Sequence, residues 1–236
     1  MEPKHVVGLS GGKDSTAMAE RLVETEPRDY EFICNETGDE LPEMRAHWAM
    51  LERRLGKPLK RISYPGGLNA LIEEQGMLPN FQARWCTRIL KIEPTIEYFA
   101  SLPKGSVLYI GLRADEEDRE GGLYGDDVTV DYPMRRWGWG LADVYAYLEE
   151  RGICIPARTD CARCYGQRLG EWRNLWRDYP AVYEHAAKQE RKLGHTFRSD
   201  SRDTWHASLD FLAMEFAAGR PVRERKTGTP CRVCSL

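Results

Sequence analysis

The most constraining feature of the sequence is a segment, Ser-Gly-Gly-Lys-Asp-Ser-Thr at 10–16, that follows directly on an apolar stretch. His5–Leu9 has the residue pattern of a strand, and apolar residues recur at helical spacing from about Asp14 to Glu24. A second strand is predicted at Tyr30–Cys34. The segment therefore lies where the first strand of a β-α-β unit passes into its helix, which is where open α/β sheets bind ligands.

The alternation of strand and helix patterns continues along the chain. A helix is predicted from about Pro42 to Leu55, with Gly56 as its stop signal, and a strand is predicted at Leu59–Ser63. A further helix at Ile92–Leu102 and an almost unbroken apolar strand at Ser106–Leu112 follow. This order predicts an α/β fold, a mainly parallel sheet with helices on both faces.

The C-terminal part of the chain has a different pattern. A helix at about Gly140–Arg151 is followed by two Trp-rich helical stretches, roughly Gln167–Leu193 and Thr204–Ala218. The acidic, Gly-rich stretch from Arg113 to Asp131 is predicted to be a long loop. We therefore expect an α/β nucleotide-binding domain at 1–165 and, at 166–236, a helical appendage with cysteine pairs and a basic tail.

Composition excludes disordered, collagen-like and disulfide-scaffold chains. The 236 residues are 42% hydrophobic and 30% charged, which is close to the average of folded globular proteins. A net charge of −3 does not by itself predict a nucleic-acid-binding protein. No run of about 18 apolar residues occurs and the first residues have no signal-peptide core, so we expect a cytoplasmic protein without a membrane span.

The residue types of segment 10–16 suit the binding of phosphate groups. Gly11 and Gly12 allow the backbone to approach oxyanions closely, and the helix start supplies amide donors and a positive dipole end. Lys13 adds a charge, and Asp14 could hold Mg²⁺ or orient the lysine. Hydroxyl donors come from Ser10, Ser15 and Thr16. An ordinary glycine turn would not need this combination, so the segment predicts a pyrophosphate-binding loop.

The spacing matches neither the Walker pattern nor the dinucleotide-binding pattern. Instead, the segment resembles the PP-loop of the ATP pyrophosphatase superfamily, whose members cleave ATP between the α and β phosphates. The resemblance implies an adenine nucleotide alpha-hydrolase-like fold, ATP as substrate and Mg²⁺ as cofactor.

Further segments resemble the phosphoadenosine phosphosulfate (PAPS) reductase family within that superfamily, in the family's order. They begin with a Thr-Gly segment after the second strand and lie at 35–43, 84–94, 111–119 and 131–164. The resemblance implies that Thr37 and Gly38 contact the adenosine part of a nucleotide. It also implies that the loop with Gly111, Arg113 and Arg119 binds phosphate or sulfate, as forked guanidinium donors do.

Seven cysteines include two C-x-x-C pairs, Cys161/Cys164 and Cys231/Cys234. In a reducing compartment this pattern favours metal, cluster or redox chemistry over structural disulfides. By the resemblance, Cys86 stands where the reductases have the first cysteine of a [4Fe-4S] pair, but Thr87 occupies the second position.

Three interpretations of the cysteines are open. Cys86, Cys161 and Cys164 could hold a [4Fe-4S] cluster, with the fourth iron bound by Cys154, a tail cysteine, or an exchangeable sulfur or substrate atom. Alternatively, both C-x-x-C pairs together could form a four-cysteine Zn²⁺ site. In the third reading the thiols are free or cycle between redox states.

The tail pair, Cys231 and Cys234, stands among arginines and lysines that favour the thiolate form. The segment 226–231 loosely resembles the reductase tail that carries a nucleophilic cysteine, without its Glu, Gly and His. The same pair would suit a persulfide carrier.

Three functions follow as hypotheses. The first is an ATP-dependent enzyme that adenylates an acceptor for sulfur transfer, with a nucleic acid among the acceptors, and with Lys13, Asp14 and Arg113 as its catalytic groups. The second is a thiol-dependent reductase of PAPS or adenylyl sulfate (APS) that uses Cys231 or Cys234. The third is a non-catalytic ATP-binding module with a zinc site. The partners expected across these hypotheses are thioredoxin or a sulfur-carrier protein, and a second copy of the chain.

Overall fold

The computed structural model describes residues 2–116, 124–125, 128–200 and 202–222. The described residues fall into two compact units. Unit 1 comprises those within Met1–Tyr64 and Arg88–Thr159, and unit 2 comprises those within Pro65–Thr87 and Asp160–Ser235. Unit 2 includes the internal segment Pro65–Thr87 from the N-terminal half, and the expected domains at 1–165 and 166–236 stay a prediction.

Unit 1 is built on a five-stranded sheet. The strands are β1 (His5–Gly8), β2 (Tyr30–Glu36), β3 (Leu59–Ser63), β4 (Val107–Tyr109) and β5 (Thr129–Asp131). Their order is β3-β2-β1-β4-β5, and every neighbouring pair is parallel. The predicted α/β fold with a parallel sheet is therefore confirmed.

Helices and their caps follow from local sequence signals. Unit 1 contains α1 (Lys13–Thr25), α2 (Pro42–Leu55), a π-helical turn (Arg88–Ile92), α5 (Glu93–Ala100), α6 (Pro133–Arg136) and α7 (Leu141–Glu150). Helix α2 has the predicted bounds: Pro42 is at its first position, and Gly56 ends it in the left-handed conformation with φ of 66°.

The two faces of the sheet carry separate apolar clusters. Because side chains alternate along a strand, Val6 and Ile33 lie on one face and Val7 and Phe32 on the other. The first face packs with Phe99 of α5. The second packs with residues of α1, α2 and α7, among them Met18, Leu22, Trp48, Leu51, Val144 and Leu148. Helices therefore cover both faces, as the sequence predicts.

Unit 2 is helical. Its helices are α3 (Gly67–Gln75), α4 (Trp85–Thr87), α8 (Leu169–Asp178), α9 (Pro180–Leu193) and α10 (Leu209–Ala217). The predicted stretch at 167–193 is two helices, because Pro180 begins a new one. Trp172, Ala186, Leu209 and Leu212 are fully buried in this unit. No helix among the residues with described positions is long and apolar enough to cross a membrane.

Some elements differ from the sequence prediction. The strand predicted at 106–112 is shorter, although Ile110 and Leu112 remain buried and the Ile110 amide still donates to the Asp131 carbonyl at 3.0 Å. Strand β5 lies inside the stretch predicted to be a loop, and α3 was not predicted.

Glu190 is a buried carboxyl group in unit 2. Its two oxygens accept the Phe197 and Leu209 backbone amides at 2.9 and 2.7 Å, which fixes the connection between α9 and α10. Burial raises the pKa of Glu190 from 4.5 to about 7, against the opposing effect of those two amides. The protonated form is therefore the one that the fold favours.

The stability of unit 2 should depend on Glu190 between pH 4.5 and 7. The unfolded chain loses the Glu190 proton near pH 4.5, whereas the folded chain keeps it to about pH 7, so stability is lost as pH rises through this window. The loss is at most about 3 kcal/mol. Thermal unfolding of wild type and Glu190→Gln from pH 4.5 to 7 should show this fall in wild type and not in the variant.

Wild type must be compared with the variant because the titrations of His5 and His47 change stability with pH in the opposite direction. Burial lowers the pKa of each, so their contribution to stability increases as pH rises through about 6.5. Glu184→Gln, an exposed change on the same helix, is the matched control and should keep the wild-type profile. An identical profile for Glu190→Gln would contradict the assignment.

Candidate functional site

Segment 10–16 lies at the point where the order of strands reverses. The chain adds β2 and β3 on one side of β1 and then β4 and β5 on the other. The loops that leave the carboxyl ends of β1 and β4 therefore diverge around a crevice, as at the ligand sites of other open parallel sheets. Segment 10–16 follows β1, and Gly111–Glu116 follows β4.

Hydroxyl groups fix the path of segment 10–16. The Ser10 and Ser15 Oγ atoms are 3.0 Å apart, and the Ser10 Oγ accepts the Gly12 amide at 3.3 Å. The Ser15 hydroxyl donates to the Gly12 carbonyl at 3.1 Å. Gly12 is the N-cap of α1 and makes no side-chain capping hydrogen bond, so the first amides of the helix have no side-chain cap from this position.

Gly11 is required by the packing beneath the loop. It has a φ of +86°, and a Cβ at this position would lie 2.2 Å from Met44 Cε and 2.8 Å from Trp48 Nε1. The Trp48 indole N–H donates to the Ser10 carbonyl at 2.9 Å, and the buried His47 ring hydrogen-bonds the Gly11 backbone. Helix α2 therefore holds the loop from below, which the sequence analysis did not predict.

Asp14 joins the two loops through one carboxylate oxygen. Its Oδ2 accepts the Lys13 ammonium at 2.9 Å and Arg113 Nη1 at 3.0 Å. Arg113 is 4% exposed and also contacts Asp115 through Nε at 2.8 Å and Glu116 at 3.5 Å. Burial alone would lower the pKa of Arg113, but these carboxylates raise it above its ordinary value.

The other oxygen of Asp14 has a different environment. Oδ1 is buried and has no hydrogen-bond partner within the described part of the chain, and neither has the Thr16 hydroxyl. Carboxylate oxygen is the ligand type that Mg²⁺ prefers. Asp14 therefore orients Lys13 and Arg113 with one oxygen and has a second that suits a hard cation, which combines the two roles that the sequence suggested as alternatives.

Gly111 permits the close approach of the two loops. A Cβ at this glycine would lie 3.1 Å from the Ser15 backbone nitrogen and 3.2 Å from the Asp14 carbonyl carbon. Asp115 fixes the next part of the loop, since its Oδ2 accepts the Leu141 amide at 3.0 Å. The structure thus brings Gly111 and Arg113 to the phosphate loop, whereas Arg119 lies outside the described residues.

A pocket next to the loop accounts for further residues. It is lined by Ser10 and Ser15 of the loop and by Cys34, Asn35 and Thr95 beside apolar strand residues. The Asn35 amide donates to Thr95 Oγ1 at 3.1 Å and to the Lys91 carbonyl. Burial raises the pKa of Cys34 to about 12, so this thiol stays protonated and lines the pocket as an apolar group.

Thr37 and Gly38 follow the carboxyl end of β2. The Thr37 hydroxyl and amide both donate to Glu40 Oε1, at 2.6 and 2.7 Å, and Gly38 has a φ of 75°. The Thr37 side chain is buried. Its role in contacting adenosine stays a prediction.

The structure places three of the predicted metal ligands, Cys86, Cys161 and Cys164, in unit 2. The Cys164 amide donates to the Cys161 carbonyl at 3.1 Å, which closes the turn of the first C-x-x-C pair. Burial raises the pKa of the neighbouring Tyr165 hydroxyl, against the opposing effect of the Arg84 charge.

A complete metal site is not formed within the described part of the chain. No group of three or more His, Cys, Asp or Glu side chains there is arranged to hold a metal ion. Cys231 and Cys234 lie outside the described residues, and Cys154 is exposed in unit 1. The ligand set, [4Fe-4S] or Zn²⁺, therefore stays a prediction.

Residues 4–124 match the family model described as phosphoadenosine phosphosulfate reductase domain. None of the curated proteins is significantly similar to the sequence.

The solved structures similar to this chain include the following two. PAPS reductase from Candida auris, in a phosphate complex, is 16% identical over 66% of this chain and 75% of its own, with a TM-score of 0.48. The U34-tRNA thiolase NcsA from Methanococcus maripaludis, with its [4Fe-4S] cluster, is 20% identical over 89% of this chain and 80% of its own, with a TM-score of 0.49. Likenesses this distant assign neither a ligand nor a reaction.

Gly11→Ala should weaken nucleotide binding, because its methyl group would collide with Met44 and Trp48. Gly56→Ala is the matched control: its φ is also positive, at +66°, but nothing lies within 4 Å of the added carbon. Both changes should cost roughly 1–2 kcal/mol of backbone strain. Titration calorimetry with ATP should show a loss of at least about tenfold in affinity for Gly11→Ala only. Equal affinities in the two variants would contradict the packing argument.

Proposed function

This chain belongs to the phosphoadenosine phosphosulfate reductase family, and within that family we propose that it is an ATP pyrophosphatase that activates an acceptor for sulfur transfer. The observation that carries the proposal is the shared carboxylate of Asp14. It places Lys13 and Arg113 together beside a complete Ser-Gly-Gly-Lys-Asp-Ser loop at the strand reversal. A ligand with several adjacent phosphates uses all of these groups.

The loop and helix α1 would bind the phosphates. Backbone amides at the start of a helix have no acceptor within the helix and carry the positive end of its dipole. Ser10 and Ser15 hydroxyls stand on the same turn, 3.0 Å apart. These donors suit the oxygens of a β,γ-pyrophosphate, which PAPS and APS lack.

Charge balance gives Mg²⁺ a role. Lys13 and Arg113 are surrounded by the carboxylates of Asp14, Asp115 and Glu116, so the site does not by itself offset a triphosphate. Mg²⁺ bound with ATP would supply the missing positive charge, and Asp14 Oδ1 would hold it. We therefore expect ATP binding to depend on Mg²⁺.

The proposed reaction breaks the bond between the α-phosphorus and the bridging oxygen of ATP. An acceptor oxygen attacks the α-phosphorus and loses its proton, pyrophosphate leaves, and the acceptor carries AMP. A sulfide-level sulfur then displaces AMP and takes the place of the acceptor oxygen. Lys13, Arg113 and the loop amides would stabilise the charge that develops on the departing pyrophosphate.

The cysteines of unit 2 are the proposed source or carrier of sulfur. Cys86, Cys161 and Cys164 all lie in unit 2, and Cys161 and Cys164 share one turn. We propose that these three thiolates hold a [4Fe-4S] cluster whose fourth iron is bound by a tail cysteine or by an exchangeable sulfur or substrate atom. The alternative is a four-cysteine Zn²⁺ site formed by the two C-x-x-C pairs. Thiolates are the ligands that both prefer.

The family itself supports a second candidate, reduction of PAPS or APS to sulfite with thioredoxin as partner. That reaction needs a nucleophilic cysteine, for which Cys231 and Cys234 are the candidates. It predicts sulfite release without ATP consumption.

Lys13→Ala should reduce pyrophosphate release from ATP by about 100-fold, the usual cost of removing a group that stabilises charge in the transition state. The measurement is a coupled pyrophosphate assay on the full-length protein with Mg²⁺. Lys188→Ala, at an exposed position in unit 2, is the control and should keep wild-type activity. Full activity of Lys13→Ala would refute the assignment of the loop.

Metal analysis tests the cysteine proposal separately. Anaerobically purified protein should contain iron and acid-labile sulfide and absorb broadly in the visible range. Serine substitution of Cys164 should remove both, whereas Cys34→Ser, at a buried thiol in unit 1, should leave the metal content unchanged. A colourless preparation with stoichiometric zinc would contradict the cluster and support the zinc site.

A further inference from the structure

Unit 2 exposes an aromatic ring in a fixed position. Phe81 is 52% exposed. It lies in a turn held by Asn80. The Asn80 side-chain Oδ1 accepts the Gln82 and Ala83 backbone amides at 2.9 Å each, and the Asn80 backbone amide donates to the Ala83 carbonyl. A large apolar side chain gains nothing from water at such a position, and the turn prevents it from folding away.

Two neighbours orient the ring. Tyr165 packs against it edge to face, with centroids 5.1 Å apart and planes at 86°. The Arg202 guanidinium lies 5.3 Å from the ring centroid, and it is itself held by donating to the Tyr165 and Gly166 carbonyls at 3.3 and 3.2 Å. Phe81 and Arg202 therefore form a preorganised surface, which we call the Phe81 platform.

Both arginines and carboxylates lie near Arg202. Burial lowers the pKa of Arg202, the like charge of the buried Arg198 lowers it further, and the Arg198 Nε and Nη1 atoms have no hydrogen-bond partner among the described residues. Two carboxylates oppose these arginines, Asp203, which accepts from Arg198 at 2.9 Å, and Glu171. The exposed Arg84 adds a third cation on the same segment as Phe81.

The platform is continuous with the cysteines. Tyr165, which packs on Phe81, directly follows Cys164 in the chain. Cys86 itself lies five residues after Phe81. The platform is therefore built from the same two segments of unit 2 that carry Cys86 and Cys164.

We propose that the Phe81 platform binds an unpaired base of a single-stranded nucleic acid, and that this nucleic acid is the sulfur acceptor. An exposed ring beside guanidinium groups is how proteins hold single strands: the ring stacks on the base and the cations contact the phosphodiester backbone. A peptide would not use both features, since the arginines offer it no pocket for an apolar side chain. The inference rests on the proposed function for its sulfur-transfer role and on unit 2 alone for its binding role.

The test is binding of short fluorescein-labelled single-stranded RNA and DNA of mixed sequence to the full-length protein, followed by fluorescence anisotropy without ATP. Phe81→Ala should weaken binding by about tenfold, the usual effect of losing one stacked base. Phe81→Trp should bind as wild type because it keeps a stacking face. Arg202→Gln should weaken binding and reduce the salt dependence by about one released counterion.

Phe211→Ala is the matched control. Phe211 is also in unit 2 and is likewise 52% exposed, so a loss of binding from general destabilisation or reduced surface hydrophobicity would affect both variants. Wild-type binding by Phe81→Ala, an equal loss in Phe211→Ala, or no binding by wild type would each overturn the proposal. So would a Phe81→Ala variant that binds RNA normally but no longer binds a sulfur-carrier protein.

The outcome is separable from that of the proposed function. In one outcome, wild type releases pyrophosphate, Lys13→Ala does not, and Phe81→Ala leaves oligonucleotide affinity unchanged. That outcome would refute the nucleic-acid-binding role of the Phe81 platform and support the ATP pyrophosphatase. In the other, oligonucleotide binding needs Phe81 but the protein does not cleave ATP, which would support the binding role and refute the ATP pyrophosphatase.

Discussion

The reversal of strand order at β1 is the constraint on which the rest of unit 1 depends. Because β2 and β4 flank β1 on opposite sides, the loops after β1 and β4 diverge and leave a crevice between them. The Asp14 carboxylate then ties these loops together by accepting from both Lys13 and Arg113. One carboxylate thus converts a feature of the topology into a charged site of fixed geometry.

The packing below the loop makes the site rigid before any ligand binds. Trp48 donates to the Ser10 carbonyl, and Gly11 leaves no room for a side chain against Met44. A loop that is already held in place loses little conformational entropy when a ligand binds. Unit 2 is organised in a comparable way, since the buried Glu190 fixes the connection that precedes α10.

Sequence predicted the elements that depend on local signals and missed those that depend on distant contacts. Helix α2 has the predicted bounds because Pro42 and Gly56 mark its ends. The sheet follows from the alternation of patterns, and the phosphate loop from its residue types. Strand β5 was missed because only three residues pair with β4, which no periodicity can reveal. The contacts of Trp48 with the loop and of Phe81 with Arg202 join residues far apart in the chain, so no local pattern contains them.

The central claim is that segment 10–16 holds a triphosphate, and relative nucleotide affinity tests it most directly. Titration calorimetry of the full-length protein with ATP, AMP and PAPS in the presence of Mg²⁺ needs neither the acceptor nor the sulfur donor. We expect ATP to bind more tightly than AMP and PAPS, because only ATP offers β and γ phosphates to the loop amides, Lys13 and Arg113. Tighter binding of PAPS than of ATP would contradict it and would favour the sulfonucleotide reductase.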